Sequence, residues 1–255
     1  MANYRSVALT DVGMKREHNE DSFLINEELG LYVVCDGMGG HAGGETASRL
    51  AVQTVERELL SARLRNDSPY ASKANLADSP MAGAVREAVE GACAAVFRTS
   101  KLNPELHGMG TTCICLVING AHALVGHVGD SRAYLVREGG VLQLSEDHSL
   151  VNEQVRAGLL TPDEARVSRL KNIITRSVGF EEDVLVDVMG VETKPGDRFL
   201  LCSDGLSNLV ENEEICEALS TDTTLETIAT ALIQLANDRG GDDNSTAVLV
   251  ERLPD

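Results

Sequence analysis

The sequence predicts an α+β fold in which antiparallel sheets are covered by helices. Three observations carry this. Strand-like segments at 111–118, 121–129 and 132–138 follow one another through turns of only a few residues, which suits hairpins and is too short for the crossover that a parallel pair requires. Two long amphipathic helices then arrive together, rather than alternating singly with strands as in a doubly wound sheet. The chain also shows no repeat period and no low-complexity tail, so its 255 residues, 43% of them hydrophobic, are expected to form a single domain, 1–255, with a substantial core.

Strands are expected at 4–11 (YRSVALTD), 21–26, 31–36 (LYVVCD), 111–118, 121–129, 132–138, 184–193, 197–203 and 244–252, from β-branched and apolar runs bounded by turn residues. From 45 to 64 the period changes, and Ala47, Leu50, Ala51, Thr54, Val55 and Leu59 make one helical stripe. A second stripe, Val85, Ala88, Val89, Ala92 and Val96, predicts a helix over 81–99, and a third helix is expected over 225–237. The polar, turn-rich segment 65–80 reads as a surface loop. Residues 148–176 hold short helical pieces, NEQVRAG and TPDEAR, between two strands, and are expected to form an insertion that serves either as decoration or as a flap over a site.

A formal charge of −18 excludes nonspecific nucleic-acid and anionic-membrane binding, since both polyanions are repelled. No run approaches the roughly 18 apolar residues of a membrane span, and the N-terminus has neither a basic start nor an apolar signal core, so a cytoplasmic protein is expected. The six cysteines lie mostly in apolar runs without paired CxxC spacing, which predicts reduced, buried thiols rather than a zinc site.

LYVVCDGMGGHAGGE, Leu31 to Glu45, poses the functional question, because it passes from a greasy strand to a glycine-rich loop with Asp36 at the joint. Asp130 and Asp204 likewise follow apolar strands, and Asp243 precedes one. Any single Asp at a strand end, with Gly after it as at Asp36 and Asp204 or without, reads as turn chemistry. Four in one chain can converge on one edge of a sheet, where carboxylates repel unless protons or hard divalent cations compensate them. Two rivals are weaker. Gly37 to Ala42 mimics a dinucleotide-binding G-x-G-x-x-A turn, but Asp36 would face the pyrophosphate with like charge, and the following helix leads into a polar loop. For a phosphoaspartate enzyme with Asp36 as nucleophile, Met38 stands where the helper carboxylate belongs.

The ordered set GMKREHNEDSF (13–23), DGMGGHAGGE (36–45), GMGTT (108–112), VGDSR (128–132), DHSL (147–150), LCSDGL (201–206) and GGDDNST (240–246) resembles the metal-dependent, type 2C family of protein serine/threonine phosphatases, in its bacterial form. The resemblance runs from about Tyr4 to Val250. It implies a four-layer αββα sandwich of two antiparallel sheets flanked by helices, with residues 148–176 as the flap. It also implies that Asp36 bridges two Mn²⁺ or Mg²⁺ ions, that Gly37 lends its carbonyl, and that Asp204 and Asp243 complete the second site. Glu20 and Asp21 match the acidic pair that holds metal-bound waters. Asp130, with Asp204, matches the support of a third, looser ion. Arg16 matches the phosphate clamp, which suits its planar, permanently charged fork. For His41 two readings stand level: a general acid in the family's manner, or a cap on the following helix. The remaining histidines read as structural. The implied reaction is hydrolysis of phosphoserine and phosphothreonine esters on proteins by a water or hydroxide between the two ions. The implied substrates are phosphorylated proteins, serine/threonine kinases among them, and a monomeric enzyme opposing such kinases in signalling is expected. A binding module that has lost its chemistry would show substitution of a metal aspartate or of the arginine, and all are present.

Overall fold

The computed structural model describes residues 3–40, 42–65 and 76–254. In chain order it contains β1 (Tyr4–Asp11), β2 (Ser22–Asn26), β3 (Leu31–Cys35), β4 (Gly37–Met38), α1 (Ala42–Arg65), α2 (Pro80–Leu102), β5 (Gly110–Thr111), β6 (Cys113–Asn119), β7 (His122–Val128), β8 (Arg132–Arg137) and β9 (Gly140–Gln143). There follow α3 (Leu150–Arg156), α4 (Pro162–Arg166), β10 (Asp187–Glu192), β11 (Arg198–Cys202), α5 (Asp204–Ser207), α6 (Asn212–Leu219), α7 (Leu225–Asp238) and β12 (Ser245–Arg252).

Two five-stranded sheets, ordered β1-β12-β11-β8-β9 and β10-β7-β6-β3-β2, are antiparallel throughout. Strand periodicity explains how they stack. In β3, Tyr32 and Val34 join Ile114 and Leu116 of β6 against Phe199, Leu201, Val248 and Val250 of the other sheet. The alternate residues Leu31, Val33 and Cys35 face the other way, onto Ala51, Val55, Val85 and Val89 of α1 and α2. On the opposite side Leu200, Cys202, Ala247 and Leu249 pack under Ile215 of α6 and Ile228 and Leu232 of α7. The result is the expected αββα sandwich. A strand enclosed between a sheet and a helix layer has no wet face, which is why β3, β6 and β11 read as continuous apolar runs rather than as alternations.

Most expected elements lie within a few residues of the observed ones, and the departures have local causes. β10 begins at Asp187 rather than 184, because Val184 and Val186 pack onto the α1–α2 core instead of pairing. Residues 37 and 38, expected as loop, form β4 and pair with β5. The short β9 and α6 were not anticipated. α6 buries only Ile215 and Leu219, one turn apart, too little for a visible period, and it is opened by a capping box between Glu211 and Glu214. Residues 66–75 of the expected polar loop lie outside the described residues; beyond them a 3₁₀ turn at Leu76–Asp78 leads to Ser79, whose side chain caps α2.

The insertion closes on itself at its base, where Leu150 N–H donates to Ile173 O (2.8 Å) and Thr175 N–H to His148 O (2.8 Å). Five of the six thiols are buried and all six are free. Among the described residues no helix is long and apolar enough to cross a membrane.

Candidate active site

Asp36 follows β3 directly, and its backbone is fixed on both sides. Its N–H donates to Thr112 Oγ1 (2.9 Å), and its carbonyl accepts from Thr111 Oγ1 (2.8 Å) and from Thr112 N–H (2.9 Å). Gly37 N–H donates to Glu20 O (3.2 Å), which brings the 12–20 loop against the strand end. A side chain at Gly37 would run into the carbonyls of Gly44 and Glu20, and one at Gly44 into the Glu20 carboxylate. These glycines therefore serve close approach of chain segments.

Asp204 opens α5 immediately after β11, and Asp243 lies two residues before β12, the neighbouring strand in the sheet. Between them Asn244, which the sequence reading did not single out, ties the 12–20 loop in place. Its Nδ2 donates to Val12 O (2.8 Å) and His18 O (3.0 Å), and its Oδ1 accepts from Glu20 N–H (2.8 Å). Buried amides are worth their desolvation only when satisfied in this way. Arg16, on the same loop, places Nη2 2.6 Å from Asp243 Oδ2, with about half of its side chain exposed.

The carboxylates crowd one another. Burial, and then the charges of Asp21, Asp204, Asp130 and Asp243, push Asp36 well above the usual carboxylate range. Burial raises Asp130 to about 8, with Asp204 and Asp147 adding to it. Asp21 is raised to about 7 by burial, against the hydrogen bonds its Oδ2 accepts from Thr246 Oγ1 (2.6 Å) and Ser203 Oγ (2.8 Å). Its Oδ1 is buried without a partner. Asp204 is raised by burial and by Asp243 while hydrogen-bonding Asp36, and its Oδ2 accepts from Asn208 Nδ2 (3.0 Å). Two carboxylates hold such a contact only with a proton or cation between them. Among the described residues no three acidic, histidine or cysteine groups form a closed ligand shell, since Asp243 is turned to Arg16 and Asp204 to Asp36. Hard oxygen donors in excess, repelling one another in a buried site, nonetheless form a donor set that fits divalent cations.

The cluster lies in a cleft of about 1120 Å³ whose lining includes Arg16, Glu20, Asp36, Asp130, Asp204 and Asp243. Asp130 and Asp204 also line a second recess, of about 470 Å³, together with Val151, Ala165 and Lys171 of the insertion. Of the residues expected from sequence, Asp21 is enclosed by Ser203 and Thr246, while Glu20 and Gly37 reach the cleft. His41 lies outside the described residues. His18, read from sequence as structural, also lines the cleft. His148 behaves as expected of a structural histidine. Its Nδ1 accepts from Gly129 N–H (3.0 Å), its Nε2 lies 3.0 Å from Asp187 Oδ2, and its ring lies 4.6 Å from that of His127, which burial lowers to about 3 and so keeps neutral. Arg132 grips Asp147 through Nε (2.9 Å) and Nη2 (2.7 Å), at the start of the strand that follows Asp130. Thr111, Thr112, Ser203 and Thr246 position the acids through uncharged hydroxyls, so only the GMGTT, LCSDGL and GGDDNST motifs flagged their neighbourhood.

Residues 14–250 match the family model described as Protein phosphatase 2C. The serine/threonine phosphatase stp of Listeria monocytogenes is 37% identical over 246 residues, which is 95% of this chain and 94% of that one. The crystal structure of the Mycobacterium tuberculosis serine/threonine phosphatase PstP/Ppp superposes with a TM-score of 0.86 at 34% identity, covering 98% of this chain and 99% of that one. The catalytic domain of PstP in complex with two manganese ions gives a TM-score of 0.84 at 34% identity, with 98% of this chain and 99% of that one covered.

Proposed function

Because this chain belongs to the protein phosphatase 2C family and is a metal-dependent protein serine/threonine phosphatase, we propose which of its residues carry out the hydrolysis. The observation that carries the assignment is the convergence of Asp36, Asp130, Asp204 and Asp243 beside Arg16 in one cleft. Asp36, the Gly37 carbonyl, Asp204 and Asp243 would hold two Mn²⁺ or Mg²⁺ ions, as many as the PstP domain binds. Glu20 and Asp21 would back them through water, and Asp130 would support a third. When bound, the ions lend positive charge to the phosphoryl oxygens and acidity to a water.

The chain's own residues do the rest. Arg16 exchanges Asp243 for two phosphoryl oxygens of the substrate, for which its fork is matched. That exchange couples substrate binding to the release of an oxygen donor. Asn244 keeps Arg16 and Glu20 at the cleft edge by holding their loop at Val12, His18 and Glu20. Thr111 and Thr112 keep the Asp36 backbone from yielding when charge develops, and such preorganisation is the larger part of electrostatic catalysis. His41 remains assigned either to proton delivery at the leaving oxygen or to capping α1.

The 255 residues act as one phosphatase domain, with 148–176 as a flap over the recess that contains Lys171. Substrates are phosphorylated proteins. Within that class we place serine/threonine kinases, and we assign the protein to kinase-opposing signalling in the cytoplasm as a monomer. The test is phosphate release from a phosphothreonine peptide with Mn²⁺ and with chelator. Release only with metal supports the assignment, and equal release in both ends it.

A further inference from the structure

One wall of the cleft carries large apolar side chains exposed beside the carboxylate cluster. The chain has no Trp and only four Phe, and Phe180 is the most exposed Phe, at 71%. Leu185 is 66% exposed and lines the same cleft as Phe180 and the carboxylate cluster. Neither exposure comes from a slack segment. Val178 and Val186 are buried in the α1–α2 core on either side, and Val178 pairs through both its N–H and its carbonyl with Thr111, the residue whose hydroxyl holds Asp36. Gly179 takes a positive φ of 93° with no room for a side chain over Val96, and its N–H donates to Cys93 Sγ (3.2 Å), whose own thiol donates to Glu181 O (3.2 Å). At the far end Arg176 Nη1 donates to Leu185 O (3.1 Å) and to Asp187 Oδ1 (3.0 Å). The backbone is thus pinned at both ends while two large apolar side chains stand in water beside the reaction centre. An arrangement of that kind is an anchor for an apolar partner. Glu181 and Asp183 lie on the same wall, and among the described residues neither forms an ion pair.

We infer that the Phe180–Leu185 wall reads the peptide around the phosphorylated residue, seating an apolar side chain close to the phosphothreonine or phosphoserine, with Glu181 and Asp183 meeting a basic residue beyond it. The occupant is a phosphopeptide stretch because the wall is continuous with the phosphate site, and it is basic because the free charges on the wall are acidic. This rests on the phosphatase assignment and adds sequence preference to it.

The experiment uses the Mn²⁺-loaded full chain and phosphothreonine peptides that differ only in their flanks. In one pair Leu or Gly sits on both sides of the phosphothreonine, and in another Arg or Glu lies farther out. The parent should hydrolyse the Leu peptide at least tenfold more efficiently in kcat/KM than the Gly peptide, and the Arg peptide more efficiently than the Glu one. Phe180→Ala, and independently Leu185→Ser, should compress the Leu/Gly ratio to below about threefold. A double Glu181→Gln, Asp183→Asn variant should compress the Arg/Glu ratio while leaving the Leu/Gly ratio in place. A parent that discriminates less than twofold, or variants that keep the parent's ratios, overturns the inference. A parent that leaves every peptide phosphorylated in excess Mn²⁺ overturns the phosphatase assignment and the role of the wall with it.

Discussion

Replacing Asp204 by Asn removes one negative charge from the cluster while keeping its shape, and the structure gives the consequence a sign in each metal state. Asp204 raises Asp36, Asp21 and Asp130 by its charge and itself hydrogen-bonds Asp36. At a separation of about 4 Å and an effective dielectric constant of about 20, one like-charge contact costs about 4 kcal/mol. Proton uptake relieves part of this near neutrality, since burial and neighbouring carboxylates push Asp21 up to about 7 and Asp130 up to about 8. We take about 2 kcal/mol as what Asp204→Asn returns to the metal-free protein, or about 4–8 °C in a chain of this length. Asn208 retains an acceptor, because the Asn amide oxygen can occupy the place of Asp204 Oδ2. With metal the sign reverses. Saturation at about 100 times the dissociation constant stabilises the parent by about 2.7 kcal/mol per site, and loss of a charged oxygen donor should remove at least half of the Mn²⁺-induced rise. The assay is a set of four melting curves, parent and variant, each in chelator and in excess Mn²⁺, at pH 8. The pH dependence follows from raised carboxyl values. The native metal-free parent keeps protons that the unfolded chain has released above about pH 4, so its stability should fall as pH rises from there through 7 to 8, and the advantage of the variant should grow over the same window. A variant that melts no higher than the parent in chelator at pH 8 refutes the repulsion argument. Equal Mn²⁺ shifts in the two proteins refute Asp204 as a metal ligand.

Chelation should abolish hydrolysis, and Mn²⁺ or Mg²⁺ should restore it, as followed by phosphate release; full activity after prolonged chelation would contradict the donor set. Arg16→Ala should raise the KM for a small aryl phosphate tenfold or more. Its half-exposed pair with Asp243 is worth at most about 1 kcal/mol, so the melting point should move by less than about 4 °C, and an unchanged KM would remove Arg16 from phosphate binding. Asn244→Ala deletes three hydrogen bonds and should destabilise the protein by about 2–4 kcal/mol. Amide exchange in residues 13–20 should quicken more than in β11, and uniform acceleration would show that Asn244 does not act on that loop.

How much of this was legible beforehand depended on the range of the interaction. β1 could be read residue for residue, and the stripes of α1 and α2 named the buried positions Ala47, Val55, Val85 and Val96, because strand and helix periods are written locally. α6 was missed because only Ile215 and Leu219 report on it. β4 was missed because its pairing with Gly110 and Thr111 lies some 70 residues away in the chain.

The sequence by itself determined the chemistry available: four aspartates beside strands, an arginine five chain positions beyond the end of the first strand, and an excess of acid that only protons or cations can reconcile. Which oxygens meet was decided by the sheets. β11 and β12 lie side by side, so Asp204 and Asp243 are adjacent, and the face-to-face packing of the second sheet brings Asp36 to the same edge. The pairing of Arg16 with Asp243, the orphaned Oδ1 of Asp21 and the outward turn of Phe180 depend on contacts among segments remote in sequence. No local pattern encodes those contacts, because burial and Coulomb energy are set by distance in space.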